Sequence, residues 1–239
     1  NSKYPIYADL HTHSISSGHG SEDTITDMIR CASESGLSLF GISDHGPATS
    51  SSAKSSYFQS LKLADRDRFG IRVLYGAELN IINTSGDVDL DDEILSALDY
   101  AIISIHPPIF KPYHDKDLSS AYIRAMDHPK VRFLGHIDDA RFPVDFEYLL
   151  EIAKEKHVYP EINNGSLMPD AYRINGQENC RRILSICKKL DLPVLLSSDS
   201  HGKKNIGNMQ YIFPLLEELD FPAHLVLNSD LSVLSEIIR

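Results

Sequence analysis

The feature that most constrains the fold is a repeated alternation between short apolar segments and longer amphipathic ones. Most of the apolar segments are continuous runs and do not alternate strictly, a pattern typical of parallel strands that helices cover. Seven strands are predicted from these runs: Ile6–Leu10, Leu37–Ser43, Ile71–Leu79, Tyr100–Ile105, Val131–Gly135, Val158–Ile162 and Pro193–Ser198.

The amphipathic segments between these strands predict helices, and the first of them stops at Gly36, a residue that favours a helix C-terminus. The predicted helices are Thr24–Ser35, Ser55–Phe69, Asp91–Leu98, Leu118–Met126, Asp145–Lys156, Gln177–Leu190, Ile206–Glu218 and Leu231–Ile238. No linker or low-complexity tract divides the 239 residues. Strand–helix units of this number predict an α/β fold with a single barrel over residues 1–239, slightly smaller than the eight-stranded type.

Charge and composition narrow the classes of partner. The net charge is −11, which disfavours stable binding to nucleic acid. No apolar run approaches the roughly 20 residues of a membrane helix, and no signal-peptide pattern follows Asn1. The cysteines Cys31, Cys180 and Cys187 lack the spacing of a zinc site, so we expect them to pack in the core of a cytoplasmic protein.

Candidate metal ligands follow six of the seven predicted strands, near their carboxyl ends. In a parallel barrel these ends all open onto one mouth, so we expect the side chains to gather there. The sixth strand offers only Asn163 and Asn164. The candidate ligands are His11, His13, His19, His45, Glu78, His106, His136, Asp199 and His201.

The chemistry of this set favours several ions. An extended chain turns the imidazoles of His11 and His13 to one side, because side chains alternate with a period of two. Imidazoles and carboxylates without thiolates suit zinc, manganese or iron. Nine ligands exceed the four or five that one zinc ion takes, so Glu78 could bridge two ions while a third uses the rest. We expect three divalent transition-metal ions, with zinc first.

A single histidine after a strand is more often a surface or hydrogen-bonded residue than a ligand, and the prediction depends on the whole set. Four histidines lie elsewhere and are not expected to bind metal: His114, His128, His157 and His224.

Charged residues beside the candidate ligands have two open interpretations each. Asp9 and Asp44 precede ligands and are expected to orient an imidazole, with acid catalysis as the alternative. Arg141 and Lys203 follow ligand loops and could bind phosphate, or could be solvated surface charges.

The ligand motifs together resemble the PHP (polymerase and histidinol phosphatase) family, in particular its YcdX-type phosphatases. The resemblance spans nearly the whole chain and implies a distorted (βα)7 barrel with the metal site at the C-terminal end of the parallel strands. One departure from the family pattern is Ile137, which follows His136 where many relatives have proline. The segments that carry the resemblance are Asp9–Ser14, Gly41–Pro47, Tyr75–Asn80, His106–Phe110, Glu161–Asn164 and Ser197–His201.

The resemblance also implies a distribution of ligands among three ions. His11, His13, Glu78 and Asp199 would hold the first ion, and Glu78 would bridge to the second. The ligands implied for the second ion are Glu78, His106 and His136, and those for the third are His19, His45 and His201.

The implied activity is a metal-dependent phosphoesterase acting on a small phosphorylated substrate, with Glu78 and Asp199 as the catalytic carboxylates. A water that bridges two divalent ions is acidic enough to attack a phosphate ester near neutral pH, and the ions offset the charge of the transition state. YcdX-like proteins form trimers, so the resemblance also implies a homo-oligomer.

Two other classes stay open. Amidohydrolase-like hydrolases share the His-x-His motif but use a lysine after strand four, where this chain has His106. A PHP module associated with a DNA polymerase, acting as an exonuclease or structurally, is the other alternative, although no polymerase is attached. Histidinol phosphate is a minority option among substrates.

Overall fold

A computed structural model describes residues 3–110 and 116–239. The strands are β1 (Ala8–Asp9), β2 (Thr12–His13), β3 (Leu39–Ile42), β4 (Asp67–Arg68), β5 (Ile71–Asn80), β6 (Tyr100–Ser104), β7 (Val131–Leu134), β8 (Tyr159–Asn163), β9 (Leu195–Ser197) and β10 (Ser200–His201). The helices are α1 (Ile25–Glu34), α2 (Ser55–Ser60), α3 (Asp92–Ser96), α4 (Ser119–Ala125), α5 (Phe146–Lys156), α6 (Asn164–Leu167), α7 (Gly176–Leu190), α8 (Phe213–Glu218) and α9 (Leu231–Ile237).

Seven strands form one parallel sheet in the order β1-β3-β5-β6-β7-β8-β9, and helices lie between successive strands. The chain order equals the spatial order, as in a barrel. β2 and β10 continue β1 and β9, and they pair in parallel with each other. The first and last strands therefore meet at the carboxyl end, which confirms the predicted distorted (βα)7 barrel.

Below that pairing, the buried side chain of Asn228 joins β1 to β9. Its amide nitrogen donates to the carbonyl oxygens of Ala8 at 2.8 Å and Leu196 at 2.7 Å. Its amide oxygen accepts the N–H of Leu196 at 2.8 Å. One amide thus bonds backbone groups on both strands that would otherwise lie unpaired in the interior.

The barrel interior is filled by large apolar side chains around Tyr100, which is fully buried. A Cβ atom at Gly41 would overlap the hydroxyl of Tyr100, and one at Gly76 would overlap its ring and backbone. The glycines therefore make room for the tyrosine. Outside the sheet a larger apolar layer packs the helices, and Cys180 and Cys187 of α7 are buried in it, as expected. Cys31, which was expected to be in the core as well, is only partly buried and packs against this layer.

Two predicted helices are partly wrong. The segment Ser55–Phe69 is helical only to Ser60 and through a following 3-10 turn, because its end forms a hairpin in which β4 pairs antiparallel with β5. Phe69 and Gly70 adopt positive φ values of 50° and 77° at that turn. In Ile206–Glu218 the helix begins only at Phe213.

In the described ranges, every helix is too short or too polar to span a bilayer.

Candidate metal centre

The alternation of side chains along the strands builds a polar layer above the apolar interior. On β5, Leu74 lies in the inner apolar cluster, and Glu78, four residues later, faces the same interior at the mouth. On β8, Glu161 and Asn163 share one face in the same way. These strands thus contribute apolar side chains to the barrel interior and polar side chains to the mouth at their carboxyl ends.

Glu78 lies at the centre of the histidine cluster and is 1% exposed. Its two carboxylate oxygens face different histidines. The Oε2 atom lies 3.2 Å from His11 Nε2, 3.3 Å from His13 Nε2 and 2.9 Å from His45 Nδ1, and the Oε1 atom lies 3.2 Å from His106 Nε2 and 3.0 Å from His136 Nε2. One carboxylate therefore stands between two groups of imidazoles.

Asp199 supplies the second carboxylate of the cluster. Its Oδ1 atom lies 3.2 Å from His13 Nε2 and 3.5 Å from His11 Nε2. Its Oδ2 atom accepts hydrogen bonds from Arg173 Nη2 at 2.7 Å and Asn163 Nδ2 at 3.0 Å. These two donors leave Oδ1 directed at the histidines.

His19, His45 and His201 form the outer edge of the cluster. The centroids of their rings are 5.4 to 5.7 Å apart. Atoms of His45 and His201 lie near enough to share an ion with His13, whereas the more exposed His19 stands at the rim. All nine predicted ligands thus surround one site, with His45 close to both Glu78 and the outer histidines.

Neighbouring acceptors fix the protons of two inner imidazoles at Nδ1. The Nδ1 atom of His11 contacts the carboxylate of Glu161, which also accepts from Ser197 and from the backbone N–H of His136. The Nδ1 atom of His13 lies 2.9 Å from Ser17 Oγ, whose own hydrogen is donated to Asp44 at 2.7 Å. Burial lowers the pKa of His13 well below its ordinary value, so His13 presents a proton-free Nε2 atom to Glu78 and Asp199. At His11 burial is outweighed by Glu161, Glu78 and Asp199, which raise the pKa well above its ordinary value, so its Nε2 atom would have to release a proton to bind a metal ion.

The same arrangement occurs at His106. Its Nδ1 atom lies 2.8 Å from Asn80 Oδ1. The amide nitrogen of Asn80 donates to Asp89 and Thr49, so the oxygen must be the atom that faces the imidazole. His106 Nε2 consequently carries the lone pair. At the rim, His201 Nδ1 donates to the backbone oxygen of Asp199 at 3.0 Å.

Electrostatics keep the central carboxylates ionised. Burial alone would raise the pKa of Glu78, but the histidines His11, His106 and His45 outweigh it and hold the pKa well below its ordinary value. Burial is likewise outweighed at Asp199, where His11 and Arg173 hold the pKa well below its ordinary value. Burial also lowers the pKa of His106 to about 4, so this imidazole is neutral at physiological pH.

Four buried atoms of the cluster face one another without a hydrogen-bond partner in the described part of the chain: His11 Nε2, His13 Nε2, His45 Nδ1 and Glu78 Oε2. Burying polar atoms in this state costs free energy unless something binds them. Imidazole nitrogens around a carboxylate oxygen are a donor set that suits divalent transition metals. These residues therefore fit metal ions.

Several residues around the cluster were missed by the sequence prediction. The statement that the sixth strand offers only Asn163 and Asn164 is wrong, because Glu161 on β8 binds His11. Its signal was available, since Glu161 lies two residues before Asn163 on a strand. Ser17 lies in a short 3-10 turn and Arg173 in a loop, where no periodicity points to the site.

The expectations for Asp9 and Asp44 need correction. Asp9 accepts from the hydroxyl of Ser198 and the backbone N–H of Gly207, so it fixes the loop after β9 and does not orient an imidazole directly. Asp44 acts on His13 only through Ser17.

The two candidate phosphate-binding cations are engaged elsewhere. Arg141 forms an ion pair with Asp139 at 2.6 Å, and Lys203 lies 3.4 Å from Asp23 on the surface. Both contacts support the interpretation as structural or solvated charges.

Of the four histidines predicted to lie outside the site, the three that the structure describes do lie outside it. His128 pairs with Asp92 at 2.7 Å, His224 is exposed near Asp191, and His157 ends α5. His114 lies outside the described residues.

Comparison with known proteins agrees with this geometry. The family model described as the PHP domain matches residues 9–165, more than half of the chain. A relative from Clostridium acetobutylicum named "Probable phosphatase" is 37% identical, and the match covers 99% of this chain and 95% of that protein. Another of that name from Caldicellulosiruptor saccharolyticus is 36% identical, with 98% and 96% covered.

Solved structures share the fold at low sequence identity. The histidinol phosphate phosphatase of Lactococcus lactis, solved with zinc, L-histidinol and phosphate, superposes with a TM-score of 0.60 at 19% identity, covering 92% of this chain and 93% of that one. A chain of an archaeal ribonuclease P solved with mature tRNA gives a TM-score of 0.61 at 16% identity, covering 97% of this chain and 89% of that one. With the family model and the relatives matched over nearly their full lengths, this chain belongs to the PHP domain family.

Proposed function

We propose that this protein is a metal-dependent phosphatase that hydrolyses a small phosphorylated substrate with three divalent metal ions. Zinc is the first choice for the ions, and manganese or iron are the alternatives. The observation that carries the proposal is the convergence of imidazole nitrogens on the two oxygens of the buried Glu78. We propose that residues 1–239 act as one catalytic unit.

The ligand assignment follows the two sides of Glu78. Oε2, with His11, His13 and Asp199, would hold the first ion. Oε1, with His106 and His136, would hold the second. His19, His45 and His201 would hold the third, an assignment supported by the proximity of their rings.

Bound ions would supply a water nucleophile that is deprotonated near neutral pH, together with positive charge for the phosphate. The chain's own residues prepare the site for this chemistry. Glu161, Ser17 and Asn80 accept the Nδ1 protons of the inner imidazoles and so direct their Nε2 atoms at the centre. Arg173 holds Asp199 so that one oxygen faces His13.

The relatives support the same activity. Those with more than a third of their residues identical over nearly the whole chain bear the name "Probable phosphatase", and the structural neighbour from Lactococcus lactis is described with zinc and phosphate bound. The amidohydrolase alternative is disfavoured because His106, which faces Glu78 at 3.2 Å, occupies the position where that class needs a lysine.

The test is metal removal and restoration with phosphate release as the readout. Protein stripped with a chelator should lose hydrolysis of phenyl phosphate and regain it with Zn²⁺, Mn²⁺ or Fe²⁺. Amide substrates, assayed in parallel, should not be cleaved. Full phosphatase activity in protein shown by elemental analysis to be metal-free would contradict the proposal, and so would hydrolysis of amides alone.

A further inference from the structure

An open cleft of about 750 Å³ adjoins the metal centre. Its floor includes candidate ligands, and three loops line it: residues 48–50 after His45, residues 107–109 directly after His106, and residues 168–173 after α6. The last two form its apolar walls. Because the ions held by these candidate ligands would engage the phosphate, the space between the walls remains for the leaving group of the ester.

The walls offer mainly apolar surface. Pro108 and Ile109 face the cleft from one loop, and Met168 and Tyr172 face it from the other. Tyr172 is 60% exposed, so its ring offers aromatic surface at the mouth of the cleft. Apolar surface of this kind gains free energy when a substrate removes it from water.

The exposed ring of Tyr172 is held in place by two cations. The guanidinium carbons of Arg141 and Arg173 each lie 5.2 Å from the centre of its ring. Contacts of this type restrain an aromatic side chain at an exposed site. The apolar wall is therefore formed before a substrate arrives.

The described lining of the cleft has little to offer a second anionic group. Of the lining residues that the structure describes, Arg173 alone carries a permanent positive charge, and it is bound to Asp199 at 2.7 Å and Ser166 at 3.0 Å. Asp170, an exposed carboxylate, also lines the cleft. The whole chain adds a net charge of −11 that repels polyanions.

We infer that the preferred substrates are phosphate monoesters whose leaving group carries no negative charge and offers apolar surface to the two walls. Esters that carry a further phosphate or carboxylate on the leaving group are disfavoured, because that charge would lie near Asp170 while Arg173 is already paired with Asp199. This inference rests on the proposed phosphatase function and adds the class of substrate.

The test compares three esters of primary alcohols on the metal-loaded enzyme: benzyl phosphate, ethyl phosphate and 4-carboxybenzyl phosphate. In each, a CH₂ group carries the ester oxygen, so differences report mainly on the cleft. We expect kcat/KM for benzyl phosphate to exceed that of the other two by about tenfold or more, chiefly through KM.

Two variants test whether residues of the cleft cause the substrate preference, and a third variant is the control. Met168→Ala should reduce the benzyl-to-ethyl ratio, and Asp170→Lys should reduce the discrimination against 4-carboxybenzyl phosphate. Val233→Ala, a partly exposed apolar residue on α9, should leave every ratio unchanged.

Equal kcat/KM values for the three esters, or a preference for the carboxylated one, would overturn the inference while the phosphatase function stands. Unchanged ratios in both cleft variants would also overturn it. Absence of phosphate release from all three esters and from phenyl phosphate would overturn the proposed function itself.

Discussion

At the scale of single residues, the cluster depends on neighbours that orient its imidazoles toward the centre. Glu161 is fully buried and accepts from the hydroxyl of Ser197 and two nitrogen donors besides His11. Burial would raise its pKa, but the charge and hydrogen bond of His11 outweigh this and hold the pKa below the ordinary value. Glu161 is thus an ionised acceptor that holds the His11 proton on Nδ1.

Substituting Glu161 tests this role. In Glu161→Gln the side chain keeps its size but loses the charge that orients His11, so we expect the affinity for metal to fall about 10- to 100-fold. The measurement is chelator competition with elemental analysis, and Glu236→Gln, an exposed glutamate on α9, is the control. Unchanged affinity in Glu161→Gln would mean that His11 is oriented by other contacts.

The pH dependence of stability is a second expectation at this scale. The pKa of His106 is about 4 in the fold and 6.5 as a free side chain. As the pH falls through this window, the unfolded chain takes up a proton that the folded protein does not. The contribution of His106 to the free energy of unfolding of the metal-free protein should therefore be fully present above pH 6.5 and decrease toward pH 4.

Urea unfolding of chelator-treated protein at several pH values in this window measures the effect. His106→Asn should show a shallower decrease than the parent protein. An equal slope in both proteins would assign the pH dependence to other groups.

At the scale of secondary-structure elements, the barrel is closed by two separate sets of hydrogen bonds. β2 pairs with β10 at the mouth, and the Asn228 amide joins β1 to β9 below it. His13 and His201 lie opposite each other in the β2–β10 pair, so the pairing that closes the barrel also positions two candidate ligands.

Removing the side-chain amide of Asn228 should destabilise the barrel. Asn228→Ala leaves the carbonyls of Ala8 and Leu196 and one N–H buried without their partner. We expect the free energy of unfolding to fall by roughly 3 kcal/mol. Denaturant unfolding with Gln177→Ala, an exposed amide on α7, as control provides the measurement. A change in Asn228→Ala no larger than in the control would show that β1 and β9 are held by other contacts.

The elements were predictable from the sequence where apolar periodicity is strong and not where turn geometry decides. The strand predicted at Ile71–Leu79 corresponds closely to β5, because a run of apolar residues there is buried. The hairpin at Phe69 and Gly70 interrupts a segment whose pattern resembles a helix, and positive φ values are not visible in such a pattern. Asn228 carries no signal at all, since its role depends on two strands distant in sequence.

At the scale of the whole molecule, the topology explains why the site could be predicted. Parallel strands in sequential order place every carboxyl end at one mouth, so residues as distant in sequence as His11 and Asp199 approach to 3.5 Å. The strand-end histidines followed from that rule. Glu161, Ser17 and Arg173 did not, because their importance arises from contacts with ligands that only the folded chain creates.

The central claim is that Glu78 bridges two of three bound ions, and metal stoichiometry tests it most directly. Elemental analysis of gently purified protein should give about three ions per chain. Glu78→Gln should lose about two of them together with nearly all hydrolysis of phenyl phosphate. His45→Asn should lose fewer ions, and His224→Asn, an exposed imidazole outside the site, should lose none. One ion or fewer in the parent protein, or a full complement of metal with normal turnover in Glu78→Gln, would contradict the account.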